Sequence, residues 1–319
     1  MANTRELRRR IKSIKNTSQI TKAMQMVAAT KMRRAQNQAT SGRPYVENLS
    51  EALARLLPRI NMEAHPLLIG NDSKTTGVIL LSTDKGLVGA LNTNLIRTLS
   101  SLRMQGSNYP SSRSELDSRL SGNDNIVYYT VGRKGRSFIA RTNQDLKADF
   151  ENADNVSFRQ AKQLCKLIME DFKAEEIGEV YLIYPHFVST LKQEPRRVKL
   201  LPIDLDAVIL NEVKDLKTQS RDSSLITRND KGGGNEFLFE PNADALLDYL
   251  LVHHIEEQIY QALLETKASE HSARMIAMQN ATDNAKELVG DLTLAYNQTR
   301  QASITTELLE ITTAQVAME

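Results

Sequence analysis

The chain has 319 residues, 25% of them charged, and a formal net charge of only +2. That balance imposes no nucleic-acid or membrane partner through overall charge. A single cysteine, Cys165, excludes a disulfide framework and a cysteine-based zinc site, and no apolar run reaches the roughly 18–20 residues of a transmembrane helix.

A first helical stretch runs from about Asn3 to Leu57 and is stopped by Pro58. Its length far exceeds the mean globular helix of about 11–12 residues. Leu7, Ile11, Ile14, Thr17, Thr21, Met24, Ala28, Met32 and Ala35 keep helical spacing on one stripe. Arg5, Arg8, Arg9, Arg10, Lys12, Lys15, Lys22, Lys31, Arg33 and Arg34 are opposed there only by Glu6. Nucleic-acid contact, a solvated face and attraction to acidic loops of a surrounding protein are all open readings of that charge. The absence of aromatics before Tyr45 weakens the first, because no side chain is there to stack on bases. The Arg-rich start has no apolar signal core and no cleavage-like break, so it reads as mature from residue 1.

The middle of the chain alternates strand and helix patterns. Gly77–Thr83, Asn125–Val131, Glu179–Phe187 and Arg197–Leu201 read as strands; Asn92–Gln105, Gly132–Arg141 and Ser157–Lys173 read as helices. This alternation predicts a small, largely parallel sheet. Cys165, among Leu164, Leu167 and Ile168, is expected to be buried and inert. Ser107–Asn125 reads as a surface loop and 205–235, with its Gly232-Gly233-Gly234 run, as a flexible insertion.

The second long helix is predicted from about Asn242 to Val316. Ala281, Ala285, Leu288, Leu292, Ala295, Thr299, Ala302, Thr306, Leu309, Thr313 and Val316 follow alternating steps of four and three. Such a heptad seam implies a left-handed supercoil. Alanines and threonines outnumber leucines in it, so it buries little apolar area per heptad. Both long helices leave the middle segment on one side and should pair antiparallel. At 1.5 Å per residue they span roughly 80 and 110 Å, so the second should project past the start of the first. His253, His254 and His271 read as polar helix surface, since one helix face offers too few metal ligands.

The fold expected is α+β / α/β: a long antiparallel left-handed coiled coil with a Rossmann-like α/β head between its arms. The corresponding division is 1–58 for the first helix, 59–241 for the head and 242–319 for the second helix. Catalytic constellations are absent. Gly86-Leu87-Val88-Gly89 lacks the third glycine of a dinucleotide fingerprint and the Gly-Lys-Ser/Thr of a P-loop, and Gly132-Arg133-Lys134-Gly135 is equally short. From the residues alone, a basic coiled-coil scaffold binding nucleic acid or another protein complex stays open, as does a small α/β enzyme.

Three blocks carry a resemblance. RRRIKSIKNTSQITKAMQMVAATKMRRAQ (8–36), STDKGLVGALNTNL (82–95) and ASEHSARMIAMQNATDNAKELVGDLTLAYNQTRQASITTELLEI (268–311) resemble signature segments of the gamma subunit of F-type ATP synthases. The chain departs from that pattern at Val88, where the family often has cysteine, and at Ala314-Gln315, where it usually has Gly-Ala. The resemblance implies a central rotor shaft turning inside a hexamer of alternating alpha and beta subunits, one copy per complex. The epsilon subunit and a ring of c subunits are implied at its foot. It implies no catalytic residue, cofactor, metal or nucleic acid on this chain, because ADP, phosphate and magnesium bind the hexamer. It places the chain peripherally, at the cytoplasmic face of a bacterial plasma membrane. By the same resemblance Met24, Arg33, Arg34 and Arg274 face acidic lever loops of beta, and Arg300, Gln301 and Thr305 form a catch with a beta loop.

Overall fold

The structure, a computed structural model, describes residues 4–56, 65–104, 126–203 and 243–318. The Ser107–Asn125 loop, the 205–235 insertion and the Pro58 helix stop lie outside the described residues. In chain order the elements are α1 (Thr4–Leu56), α2 (Pro66–Ile69), β1 (Thr76–Leu81), α3 (Leu91–Met104), β2 (Ile126–Val131), α4 (Arg133–Arg141), β3 (Asp145–Phe150), α5 (Phe158–Lys173), β4 (Glu179–Phe187), β5 (Gln193–Leu201) and α6 (Ala243–Val316). The chain divides into two compact units. One comprises Met1–Met32, Leu87–Gly89 and His271–Glu319; the other comprises Arg33–Gly86 and Ala90–Glu270.

The second unit is built on a five-stranded sheet of order β3-β2-β1-β4-β5, parallel except for the antiparallel pairing of β5 with β4. β1 is the central strand and every one of its residues is buried. A strand covered on both faces reads as a continuous apolar run, which is why Gly77–Thr83 reads as a strand from the sequence. Ile79 and Leu81 point into one core with Tyr129, Val131, Val180 and Leu182, covered by α5 and the first half of α6. Val78 and Leu80 point into the other with Tyr128 and Ile183, covered by α3 and α4. Cys165 is 1% exposed in the first core, and burial pushes its thiol up to about 12, so it is an inert core residue.

β3 was not anticipated from the sequence. Its residues DLKADF alternate between exposed and half-buried, as an edge strand's do, and the charges that hide its strand character also blunt the edge. Lys147 bridges Asp171 (2.6 Å) and Glu176, while Asp149 binds Thr130 (3.0 Å) and Arg136 (3.0 Å).

From Ile255 to Ala273, α6 is nearly all buried. A helix packed on all sides loses its amphipathic period, and its histidines lose water. His254 and His271 are 5% and 4% exposed, so the surface expected for them is corrected to interior.

Candidate interaction surface of the paired helices

Within the first unit, α1 and α6 run antiparallel. Arg8 donates to the Tyr296 hydroxyl (3.0 Å) with its guanidinium 5.6 Å from that ring's centre, Gln25 donates to Gln279 (3.4 Å), and the Thr21 and Thr282 hydroxyls lie 2.7 Å apart. Partner numbers fall as residue numbers rise. α6 therefore continues for a further twenty residues past the level of Arg8, as the lengths predicted.

Small residues set the contact. Ala28 is 1% exposed, Thr282 2% and Ala285 8%, with Met32 and Met278 filling the gaps. On α6 the buried and half-buried residues from Met278 to Ser303, leaving out the exposed ones, are Met278, Ala281, Thr282, Ala285, Val289, Leu292, Ala295, Tyr296, Thr299 and Ser303. The set shares Ala281, Ala285, Leu292, Ala295 and Thr299 with the seam read from sequence, but Val289 and Ser303 take the places of Leu288 and Ala302. Leu288 is 46% exposed while Val289 is half-buried. A heptad column can be completed on either flank, and the side facing the partner helix decides which flank is buried. On α1, Thr17 is likewise exposed and Ser18 takes its place. Thr299 and Ser303 each bond the carbonyl four residues back, so their hydroxyls ask nothing of the partner helix, while Thr282 bonds the Met278 carbonyl and also meets the Thr21 hydroxyl.

Met24 and Arg274 are half-buried in this unit, and Arg274 lies 3.3 Å from the Nδ1 of His271. Arg300, Gln301 and Thr305 lie together on one exposed stretch of α6, where the Thr305 hydroxyl donates to the Gln301 carbonyl (2.9 Å). Arg33 and Arg34 are exposed and belong to the other unit. Every residue from Ile304 to Met318 is exposed, including Leu308 (58%), Leu309 (60%), Ile311 (63%) and Val316 (75%). Ile20, Met26 and Val27 add to that uncovered apolar surface. Monomeric proteins seldom leave so much apolar surface to water.

In the other unit, the carboxyl ends of the parallel strands are where open α/β sheets bind ligands. Here the chain's own groups occupy that edge. Lys267 Nζ donates to the Asn152 carbonyl (2.8 Å), Asn152 Nδ2 to the Ser82 carbonyl (2.6 Å), and Ser269 to the Pro185 carbonyl (2.9 Å). At the start of α4, the amides of Arg133, Lys134 and Gly135 already bond Asp84, Thr83 and Ser82. The Gly132 and Gly135 pair serves this approach: a Cβ on Gly132 would stand 2.4 Å from the Ser82 carbonyl oxygen. Among the described residues, no group of three or more His, Cys, Asp or Glu could hold a metal, and no helix is long and apolar enough to cross a membrane.

Comparison with known proteins agrees with this architecture. A family profile described as ATP synthase matches residues 3–318. The chain is 43% identical to the ATP synthase gamma chain of Methylacidiphilum infernorum over 323 residues and to that of Akkermansia muciniphila over 319 residues, covering all of each chain. It is 41% identical over 317 residues to the one from Opitutus terrae, covering 99% of both. Among solved structures, a chain of the Tetrahymena thermophila mitochondrial ATP synthase central stalk and c-ring is 26% identical with a TM-score of 0.54, over 82% of this chain and 99% of that one. A chain of the Euglena gracilis mitochondrial enzyme shares the fold at a TM-score of 0.61 and 19% identity, over 99% of this chain and 94% of that one. With full-length identity of this order, the chain belongs to the ATP synthase gamma chain family.

Proposed function

We propose that this chain is the central rotor shaft of an F-type ATP synthase, coupling proton flow through a membrane ring to conformational cycling of catalytic beta subunits. The observation that carries the reading is the uncovered end of α6, exposed residue by residue from Ile304 to Met318 and rich in leucine, isoleucine and valine. Such a surface fits a protein sleeve. An unsymmetrical shaft touches each beta subunit differently, so each catalytic site is biased toward a different conformation, and rotation moves those biases in sequence.

In this reading 1–58 and 242–319 are the coiled-coil arms and 59–241 the head. The shaft is non-catalytic; nucleotide and magnesium belong to the hexamer of alpha and beta subunits. The epsilon subunit and the ring of c subunits take the foot, and one copy serves each complex, held peripherally at the cytoplasmic face of the plasma membrane. Met24, Arg33, Arg34 and Arg274 serve as contacts to acidic lever loops of beta, while Arg300, Gln301 and Thr305 serve as the catch. Co-expression with alpha and beta subunits tests this. A single copy should co-purify with three of each, and truncation after Ser303 should lower multisite ATP turnover. A chain that purifies free of the hexamer would overturn the reading.

A further inference from the structure

Between the Arg33–Leu56 portion of α1 and the first half of α6 lies an open groove lined by Arg34, Asn37, Gln38, Ser41, Gly42 and Tyr260. Two oxygens converge at its Gly42 end: Glu257 Oε1 and Gln261 Oε1 lie 3.8 and 3.9 Å from the point a Gly42 Cβ would occupy. Glu257 is 7% exposed, and its carboxylate has no hydrogen bond or ion pair among the described residues. Gln261 Oε1 is buried and also without a hydrogen-bond partner. A buried amide oxygen without a donor, beside a carboxylate that is little exposed, forms an incomplete arrangement, because buried polar groups are otherwise paired.

We propose that this notch above Gly42 is a docking site for a lysine or arginine side chain of a partner protein. The neighbouring His253 is otherwise engaged. The His253 ring is held by the Tyr45 hydroxyl (2.5 Å) and by Glu256 (3.4 Å), and Tyr249 stacks on it. Arg34 lines the groove two helical turns away from Gly42, about 12 Å along the axis. A cationic group in the notch would donate to both oxygens at once, and the missing Cβ of Gly42 leaves the room for it. Burial raises the Glu257 carboxyl above its ordinary value, against the smaller pull of His253, as expected of a carboxylate still lacking its cation.

The inference rests on the reading of the chain as a subunit of a larger assembly, and the assembled complex tests it. Glu257→Gln and Gly42→Leu are compared with wild type for affinity in the complex, and the wild-type complex is imaged at the notch. The Cβ of a leucine at 42 would meet both oxygens at ordinary contact distance, and leucine is a better helix former than glycine, so the free variant should melt no lower. The expected result is a basic nitrogen of a partner within about 4 Å of Glu257 and a loss of affinity of about tenfold or more in both variants. Unchanged affinity, with a notch that holds only water or an apolar side chain, overturns the proposal. Failure of the wild-type chain to assemble at all would instead overturn the function proposed above.

Discussion

The Lys267 ammonium, 4% exposed, donates to the backbone carbonyl of Asn152 and lies 3.3 Å from the Glu270 carboxylate. It thereby ties α6 to the carboxyl end of β3, four residues before the boundary between the two compact units at Glu270 and His271. A buried cation of this kind is costly to remove, because its partners stay behind without it. Lys267→Met should destabilise the chain by about 3–5 kcal/mol in urea unfolding. Adding Glu270→Gln should recover part of that loss, since the carboxylate that has lost this ammonium is then neutral. A loss below about 1 kcal/mol would mean that water replaces the ammonium.

Two glycines of the chain should respond oppositely to the same change. Gly132 has a φ of +100° and no room for a Cβ beside Ser82; Gly290 sits in α6 with nothing within 4 Å. Gly132→Ala should cost about 2 kcal/mol or more, and Gly290→Ala should add about 1 kcal/mol. Thermal melting of the two variants against wild type checks both signs. A stabilised Gly132→Ala would show that the α4 start can retreat from Ser82.

Histidine burial predicts an acid sensitivity. His254 accepts a hydrogen bond from Gln258 (2.8 Å) on its Nε2, so the ring is neutral. Burial, and secondarily the charge of His253, lowers its pKa to about 4. As pH falls, the unfolded chain takes up this proton first, near pH 6.5. Stability is therefore intact above about 6.5 and is lost as pH falls toward 4, by on the order of 3 kcal/mol at most. His254→Gln should flatten the melting temperature over that window relative to wild type. Parallel curves would assign the acid sensitivity to carboxylates alone.

The proposed catch and lever contacts differ in what each should contribute. Charge-assisted hydrogen bonds closed off from solvent are worth roughly 1.5–3 kcal/mol, and exposed ion pairs under about 1. Arg300 and Gln301, beside the uncovered end of α6, would be enclosed by a sleeve. Arg300→Ala with Gln301→Ala should therefore lower multisite ATP turnover of the reconstituted complex more than Arg33→Ala with Arg34→Ala. Equal turnover, or a larger loss from the Arg33 and Arg34 pair, would move the mechanical contact toward the foot of the shaft.

Periodicity along the sequence determined the two long helices, the antiparallel pairing that follows from their common origin, β1, β2, β4, α3, α4 and α5, and the Arg197–Leu201 end of β5. Each of these buries a whole face or a whole strand, so its apolar spacing is set by local geometry alone. Tertiary structure decided the rest. β3 exists because its backbone pairs with β2 while Asp145, Lys147 and Asp149 stay exposed along the edge, a pattern that carries too little apolar signal to be read. Val289 rather than Leu288 entered the seam because the position of α1 chooses the flank. His254, Lys267, Glu270 and His271 went inside because α6 is enclosed on all sides there. A sequence shows which residues would leave water, but burying a polar residue is cheap only when a partner is brought to it, and Asn152 lies 115 residues from the lysine it holds.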